Sequence, residues 1–286
     1  MYATLNAGAI GVKPAGLADL IAKAAANGFK GAEFWAPEVA DLADKDGIDA
    51  VKGMFAKAGV IPAGWGLPTD WRKDDATFKA ELEKLPRLAK TAAALGATRT
   101  FTWILSWDDK RPMAENWTFH VERFKPIAKV LADHGCSVGL EFLGPQTLWK
   151  GKANEFIHSM EQMLELCAAI GPNAGLLLDC WHWYASGGTL DALRKLKPAN
   201  VVYVHVNDAP KGLTLETLID NTRCLPGETG VIDIAGFLGA LKAIGYTGPV
   251  VAEPFKKELT LLPSDDQRLA VVAEAMDGIF RKAGLA

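Results

Sequence analysis

The chain has 286 residues, 49% of them hydrophobic and 23% charged, with a formal net charge of −3 and a pI of about 6.0. That is globular composition, at a length that suits one large domain or two small ones. No long basic run marks a nucleic-acid face, and no apolar run approaches the roughly 20 residues of a membrane helix, so neither a nucleic acid nor a membrane is an expected partner.

The first expected strand covers residues 2–6, and a helix follows over 17–28. Residues 31–35 (GAEFW) precede a helix that ends at 58–59, and 60–65 (VIPAGW) precede a helix over 75–95. Residues 98–105 (TRTFTWIL) precede a helix over 115–134. The second half repeats the plan: 137–144 (SVGLEFLG) with a helix over 155–171, and 174–179 (AGLLLD) with a short helix over 189–196. Then come 201–208 (VVYVHVND) with, after a long loop, a helix over 234–245, and 249–255 (PVVAEPF) with a helix over 266–284. Gly28, Gly59, Gly96, Gly135, Gly171 and Gly245 stand where these helices should stop.

Short apolar or β-branched runs alternating with helical periodicity, eight times over, predict a single (β/α)8 TIM barrel over residues 1–286. An open doubly wound sheet is the competitor. It would carry a Gly-rich phosphate loop after its first strand, and AGAIGVKP is not one.

The N-terminus, MYATLNAGAIGV, shows no positively charged leader before its apolar part. Cys136, Cys167, Cys180 and Cys224 form neither a CxxC pair nor a zinc-ribbon spacing. They read as buried thiols, and the expected location is cytoplasmic. Cys180 reads as a nucleophile only if His182 is its base.

In such a barrel, chemistry gathers at the C-terminal ends of the strands. The polar residues there are Asn6, Glu33, Glu141, Asp179, His205 and Glu253, the last four from strands five to eight. Three converging carboxylates repel one another unless a cation or separate salt bridges offset them. A divalent cation fits the set, Mn2+ or Mg2+ by its oxygen content, with Co2+ or Zn2+ as alternatives.

GLEFLGP, LLLDCWHWY, VHVND, RCLPGETGVID and VVAEPF together resemble the xylose-isomerase-like barrels of the sugar phosphate isomerase/epimerase family. That family includes ketose 3-epimerases and inosose isomerases and dehydratases. The resemblance implies that Glu141, Asp179, His205 and Glu253 hold a metal and that Glu141 and Glu253 are the acid–base pair. It also implies that His182 and Arg223 contact substrate oxygens. The family pattern PGxGxxD is interrupted here by an extra residue in Pro226–Asp233, which affects the placement of Glu228.

The implied chemistry is proton transfer next to a carbonyl through an enediolate stabilised by the metal. The outcome is isomerisation or epimerisation, or, with loss or gain of water, a lyase or hydratase reaction on a 3-keto sugar, keto-glycoside or inosose. Trp35, Trp65, Trp103, Trp107, Trp149, Trp181 and Trp183 fall at or beyond strand ends, where indoles either stack on sugar faces or plug the mouth. Trp103, Trp181 and Glu33 join the expected substrate contacts, although for Glu33 a barrel salt bridge is the equal alternative. No phosphate cradle is visible beyond Lys256 and Lys257, so an unphosphorylated carbohydrate is the expected small-molecule partner. Residues 207–230 read as a lid carrying Arg223. Barrels of this kind are often dimers or tetramers. A DNA-repair endonuclease, which needs more metal ligands and a basic face, and an inert binding barrel are the remaining alternatives.

Overall fold

A computed structural model describes residues 1–285. Eight parallel strands close into a barrel: β1 (Tyr2–Leu5), β2 (Gly31–Glu33), β3 (Ile61–Gly66), β4 (Arg99–Ile104), β5 (Ser137–Phe142), β6 (Ala174–Asp179), β7 (Val201–Val206) and β8 (Pro249–Ala252). Each pairs with its neighbours in sequence, and β1 with β8 completes the ring. Outside it lie α1 (Leu17–Ala26), α2 (Ala36–Asp46), α3 (Ile48–Ala58), α4 (Asp75–Ala94), α5 (Met113–Ala132) and α6 (Gln146–Trp149). These are followed by α7 (Met160–Ile170), α8 (Cys180–Ala185), α9 (Leu190–Leu193), α10 (Ile234–Ala243) and α11 (Asp265–Lys282). Among the described residues no helix is long and apolar enough to cross a membrane.

The strands form where the sequence is apolar and β-branched because both of their faces are covered. In β7, VVYVHV, all six residues are buried. One face looks out at the helices and joins the main core. The other looks into the barrel, where Leu177, Tyr203 and Val251 make a small separate cluster with Phe101. The two-residue strand period then aims Asp179, His205 and Glu253, each two residues beyond a member of that cluster, into the barrel mouth. At the same level Asp179 pairs in register with His205, and Trp103 with Glu141. Gly64 leaves room for the cluster, since a Cβ there would lie 2.6 Å from the Tyr203 ring.

Several elements differ from the sequence expectation. The helix after β2 is broken at Gly47 into α2 and α3, and Gly47 has a positive φ of 87°. The helix expected over 155–171 starts only at Met160, because Ser159 caps it and Asn154–Glu155 instead pair with Trp107–Asp108 in a small ribbon. His158 therefore lies before the helix, stacked on Trp149 with ring centres 3.9 Å apart. Five of the six expected stop glycines are left-handed, but Gly171 is extended (φ 161°) and stops its helix without that turn. The strand at 174–179 passes directly into α8, capped by Asp179 itself, whose carboxylate accepts the Trp181 amide at 2.8 Å.

Candidate metal centre

Glu141, Asp179, His205 and Glu253 come from β5, β6, β7 and the residue after β8. Each offers one ligand atom, and these atoms all lie within 4.8 Å of one another. His205 Nδ1 is 3.2 Å from Glu253 Oε2 and 3.7 Å from Glu141 Oε1, and His205 Nε2 is 3.9 Å from Glu33 Oε1. None of these contacts has hydrogen-bond geometry. Among the described residues, both His205 nitrogens and Glu141 Oε1 are buried without a hydrogen-bond partner. Buried polar atoms left in that state are costly. Three carboxylates and an imidazole converge there, with Glu141 Oε1 and the His205 nitrogens unpartnered, and an oxygen-rich donor set of this kind fits a divalent cation.

Charge within the cluster is sharply divided. Burial raises the Glu141 carboxyl well above its ordinary range, and the neighbouring Glu253 charge raises it further. Burial would do the same to Glu253, but His205 and then Arg223 outweigh it and bring it to about 2. Burial works against charge on His205, yet Glu253, Glu141 and Glu33 lift it to about 10. Glu33 is pushed up to about 7, mainly by burial.

Arg223 reaches the cluster from the loop after β7. Its Nη1 donates to Asp179 Oδ2 at 2.7 Å and to Glu253 Oε2 at 3.2 Å, and its Nη2 donates to Asp220 Oδ1 at 2.8 Å. The guanidinium is buried between the Trp181 ring (5.5 Å) and the Phe255 ring (4.9 Å). Phe255 holds a positive φ of 41°, unusual for a residue with a side chain. His182 lies behind Arg223: Nε2 is 3.3 Å from Nη2, while Nδ1 faces the Gly144 amide at 3.2 Å. Burial and then Arg223 lower this imidazole to about 4, which keeps it neutral. A Cβ on Gly144 would stand 2.2 Å from the His182 carbonyl, so only glycine permits this approach.

The expected substrate contacts are thus placed differently from one another. Glu33 and Arg223 join the cluster, His182 is buried behind Arg223 without meeting the cluster's ligand atoms, and Trp103 stands exposed at the mouth beside Arg72, whose guanidinium lies 3.9 Å over its ring. Trp181 is fully buried and backs Arg223, with no surface left for a ligand. Trp65 and Trp183 are buried as well. Trp65 lies between two inward-facing glycines, so it points outward and donates to the Ala97 carbonyl at 3.0 Å. Trp183 packs against Phe237 in the helix layer.

The sequence reading missed two residues. Asn207, fully buried, donates through Nδ2 to both Asp179 oxygens (3.0 and 3.2 Å) and accepts the Glu253 amide at 3.0 Å. It therefore fixes two members of the cluster. Asp208, also fully buried, accepts the amides of Ala209, Thr229, Gly230 and Ile232, and its backbone pairs with Cys224. This closes the base of the loop that carries Arg223. The signal was the polar Asn207-Asp208 pair ending an apolar strand. Cys180 also has a place: its thiol lies 3.1 Å from the Asn207 carbonyl and 3.2 Å from the Asn207 amide, and burial pushes it well above the ordinary thiol range. A thiol held neutral is a poor nucleophile. Lys256 is paired with Glu228 at 2.7 Å, beside the extra residue of this segment.

Comparison with known proteins agrees with this fold. The family model described as xylose isomerase-like TIM barrel matches residues 21–282. An inosose isomerase of Halalkalibacterium halodurans is 28% identical over 222 residues, covering 77% of this chain and 75% of that one. A 3-dehydroshikimate dehydratase of Pseudomonas putida is 30% identical over 139 residues, covering 48% of this chain and 21% of that one. Among solved structures, a xylose isomerase domain protein from Alicyclobacillus acidocaldarius superposes with a TM-score of 0.87 at 30% identity, over 99% of both chains. The IolI protein, solved with a bound zinc atom, superposes with a TM-score of 0.78 at 20% identity, over 99% of both chains.

Proposed function

The chain belongs to the xylose isomerase-like TIM-barrel family, and from that premise we propose a divalent-metal-dependent sugar isomerase or epimerase. It is an enzyme of the broad kind its relatives represent, which are isomerases, epimerases and dehydratases. The finer reading is proton transfer next to a carbonyl, through an enediolate, in an unphosphorylated ketose or cyclic polyol. One observation carries it: Glu141, Asp179, His205 and Glu253 converge within 4.8 Å, with Glu141 Oε1 and both His205 nitrogens buried and unpartnered.

These four residues would hold the cation, Mn2+ or Mg2+ by their oxygen content, with Co2+ or Zn2+ as the alternatives. When bound, it supplies Lewis-acid polarisation of a carbonyl and a counter-charge for the anion that deprotonation leaves. The chain's own residues supply the proton traffic. Glu141 and Glu253 both lie within 3.7 Å of His205 Nδ1, and their surroundings push one carboxyl up and the other down. Two carboxyls held this close to one site suit a pair in which one group gives a proton and the other takes it. Arg223 keeps a fixed positive charge 3.2 Å from Glu253 and can stabilise a developing oxyanion. Asn207 and Asp208 hold these groups in place. The pairing of Lys256 with Glu228 supports an unphosphorylated substrate.

A second reading is a carbon–oxygen lyase or hydratase on a 3-keto sugar or inosose, favoured by the dehydratase among the relatives. It shares the first proton transfer and differs in the later loss of a β-hydroxyl. The test of the shared step is Glu253→Gln in Mn2+-loaded protein. Turnover of inososes or ketoses should fall at least 1000-fold while the circular dichroism and melting profile remain those of a folded barrel. Activity at the wild-type level in that variant would remove Glu253 from the chemistry.

A further inference from the structure

Beside the cluster lies a cavity of about 470 Å3. It meets the centre through Glu33, 3.9 Å from His205 Nε2, and through Phe101, whose ring centre is 5.9 Å from that of His205. Among the described residues, none of the four proposed ligand residues lines it, so its space is additional to the reaction centre. Its lining extends to Leu17 and Leu20 of α1 and includes the half-exposed Trp35.

Its walls are chemically uneven. The polar lining residues are Asn6, Glu33 and Glu38. Two of them already spend an acceptor on the chain's own amides: Asn6 Oδ1 takes the Ala9 amide at 3.0 Å, and Glu38 Oε1 takes the Leu17 amide at 2.9 Å. The rest of the wall is apolar, with Phe34 and Trp35 beside the two leucines. A sugar ring there would leave most hydroxyls without partners, which is costly on burial. An apolar ring would instead meet aromatic faces and aliphatic side chains, the usual lining of a small-molecule site. Open space adjoins Gly66 at one end of the lining, where a Cβ would meet nothing within 4 Å.

We infer that the substrate is a keto sugar carrying an apolar aryl substituent, with the sugar at the Glu141–Glu253 centre and the aryl group in the cavity lined by Leu17, Leu20, Phe34 and Trp35. The inference rests on the proposed sugar chemistry for the position of the keto sugar, while the cavity itself is independent of it. The experiment compares methyl and phenyl 3-ketoglucosides, which differ only in the substituent. With Mn2+-loaded protein, kcat/KM should be at least fivefold higher for the phenyl compound. Trp35→Ala should reduce that ratio at least threefold. A wild-type ratio below fivefold, or a preference for methyl, overturns the inference. If neither compound exchanges its α-proton or turns over, the catalytic reading fails. Calorimetric Kd values for methyl and phenyl glucoside then decide the cavity: at least fivefold tighter binding of phenyl supports the inference, and a smaller ratio overturns it.

Discussion

Replacing Arg223 with methionine should expose the electrostatic debt at the heart of the barrel. The Arg223 side chain is 1% exposed and contacts Asp179, Asp220 and Glu253 at 2.7, 2.8 and 3.2 Å. Asp179 has no exposed surface at all. Removing one partner of a buried ion pair costs about 3–5 kcal/mol, because the remaining charge is left uncompensated. For a domain of this size each kcal/mol lowers the melting temperature by roughly 2–4 °C, so Arg223→Met should melt about 10 °C below wild type in the presence of a chelator. A dication at the cluster would neutralise Asp179 and Glu253 independently of Arg223. With saturating Mn2+ the deficit should therefore shrink to half or less. Differential scanning calorimetry with EDTA and with Mn2+ reads both values. An equal deficit in the two conditions, or none with EDTA, would refute the reasoning that Arg223 and a cation share the same carboxylates.

Asn207→Ala removes the side chain that orients Asp179 and Glu253. Outer partners of metal ligands are worth roughly 10–100-fold in affinity, and calorimetric titration with Mn2+ should show a loss in that range; a change under twofold would leave Asn207 with no such role. His120 gives a pH dependence. Burial lowers it to about 4, below the value of about 6.5 in an unfolded chain, so the unfolded state takes up a proton that the fold refuses. The stability this confers is complete above pH 6.5 and is lost as pH falls towards 4, an effect of roughly 3 kcal/mol. Urea titrations should show that slope, and His120→Phe should flatten it. Asp208→Asn weakens the acceptor for the amides of Thr229, Gly230 and Ile232. Hydrogen exchange across 209–232 should quicken at least tenfold, with the barrel strands unchanged.

The barrel and the four converging ends were legible because two periodicities agree. Apolar runs such as LLL before Asp179 and VYV before His205 mark buried strands, and a polar residue ending such a run has few places to point except the mouth. Less legible was what depends on facing. Trp65 looked like a rim residue, but the glycines on either side take the inward positions and turn it out. Trp181 looked like a sugar platform, but α8 begins at once after Asp179 and carries that ring into the core. The partners of Arg223 depend on how a long loop returns, and that is set by the Asp208 carboxylate binding amides more than 20 positions away in the chain. No local pattern encodes such a contact. Asn207 stands inside the VHVND motif, but its role is not legible there because its partners, Asp179 and Glu253, are supplied by other strand ends.

The central claim, proton transfer beside a carbonyl at a cation held by Glu141, Asp179, His205 and Glu253, is tested most directly by incubating Mn2+-loaded protein with inososes and ketoses in D2O. Mass spectrometry and NMR then locate any deuterium in the recovered sugars. The expected result is one solvent-derived deuterium at the carbon next to the carbonyl, appearing with Mn2+ and abolished by EDTA or by Glu253→Gln. Conversion of a sugar without any deuterium entering that position, or exchange that proceeds undiminished in EDTA, would contradict the account.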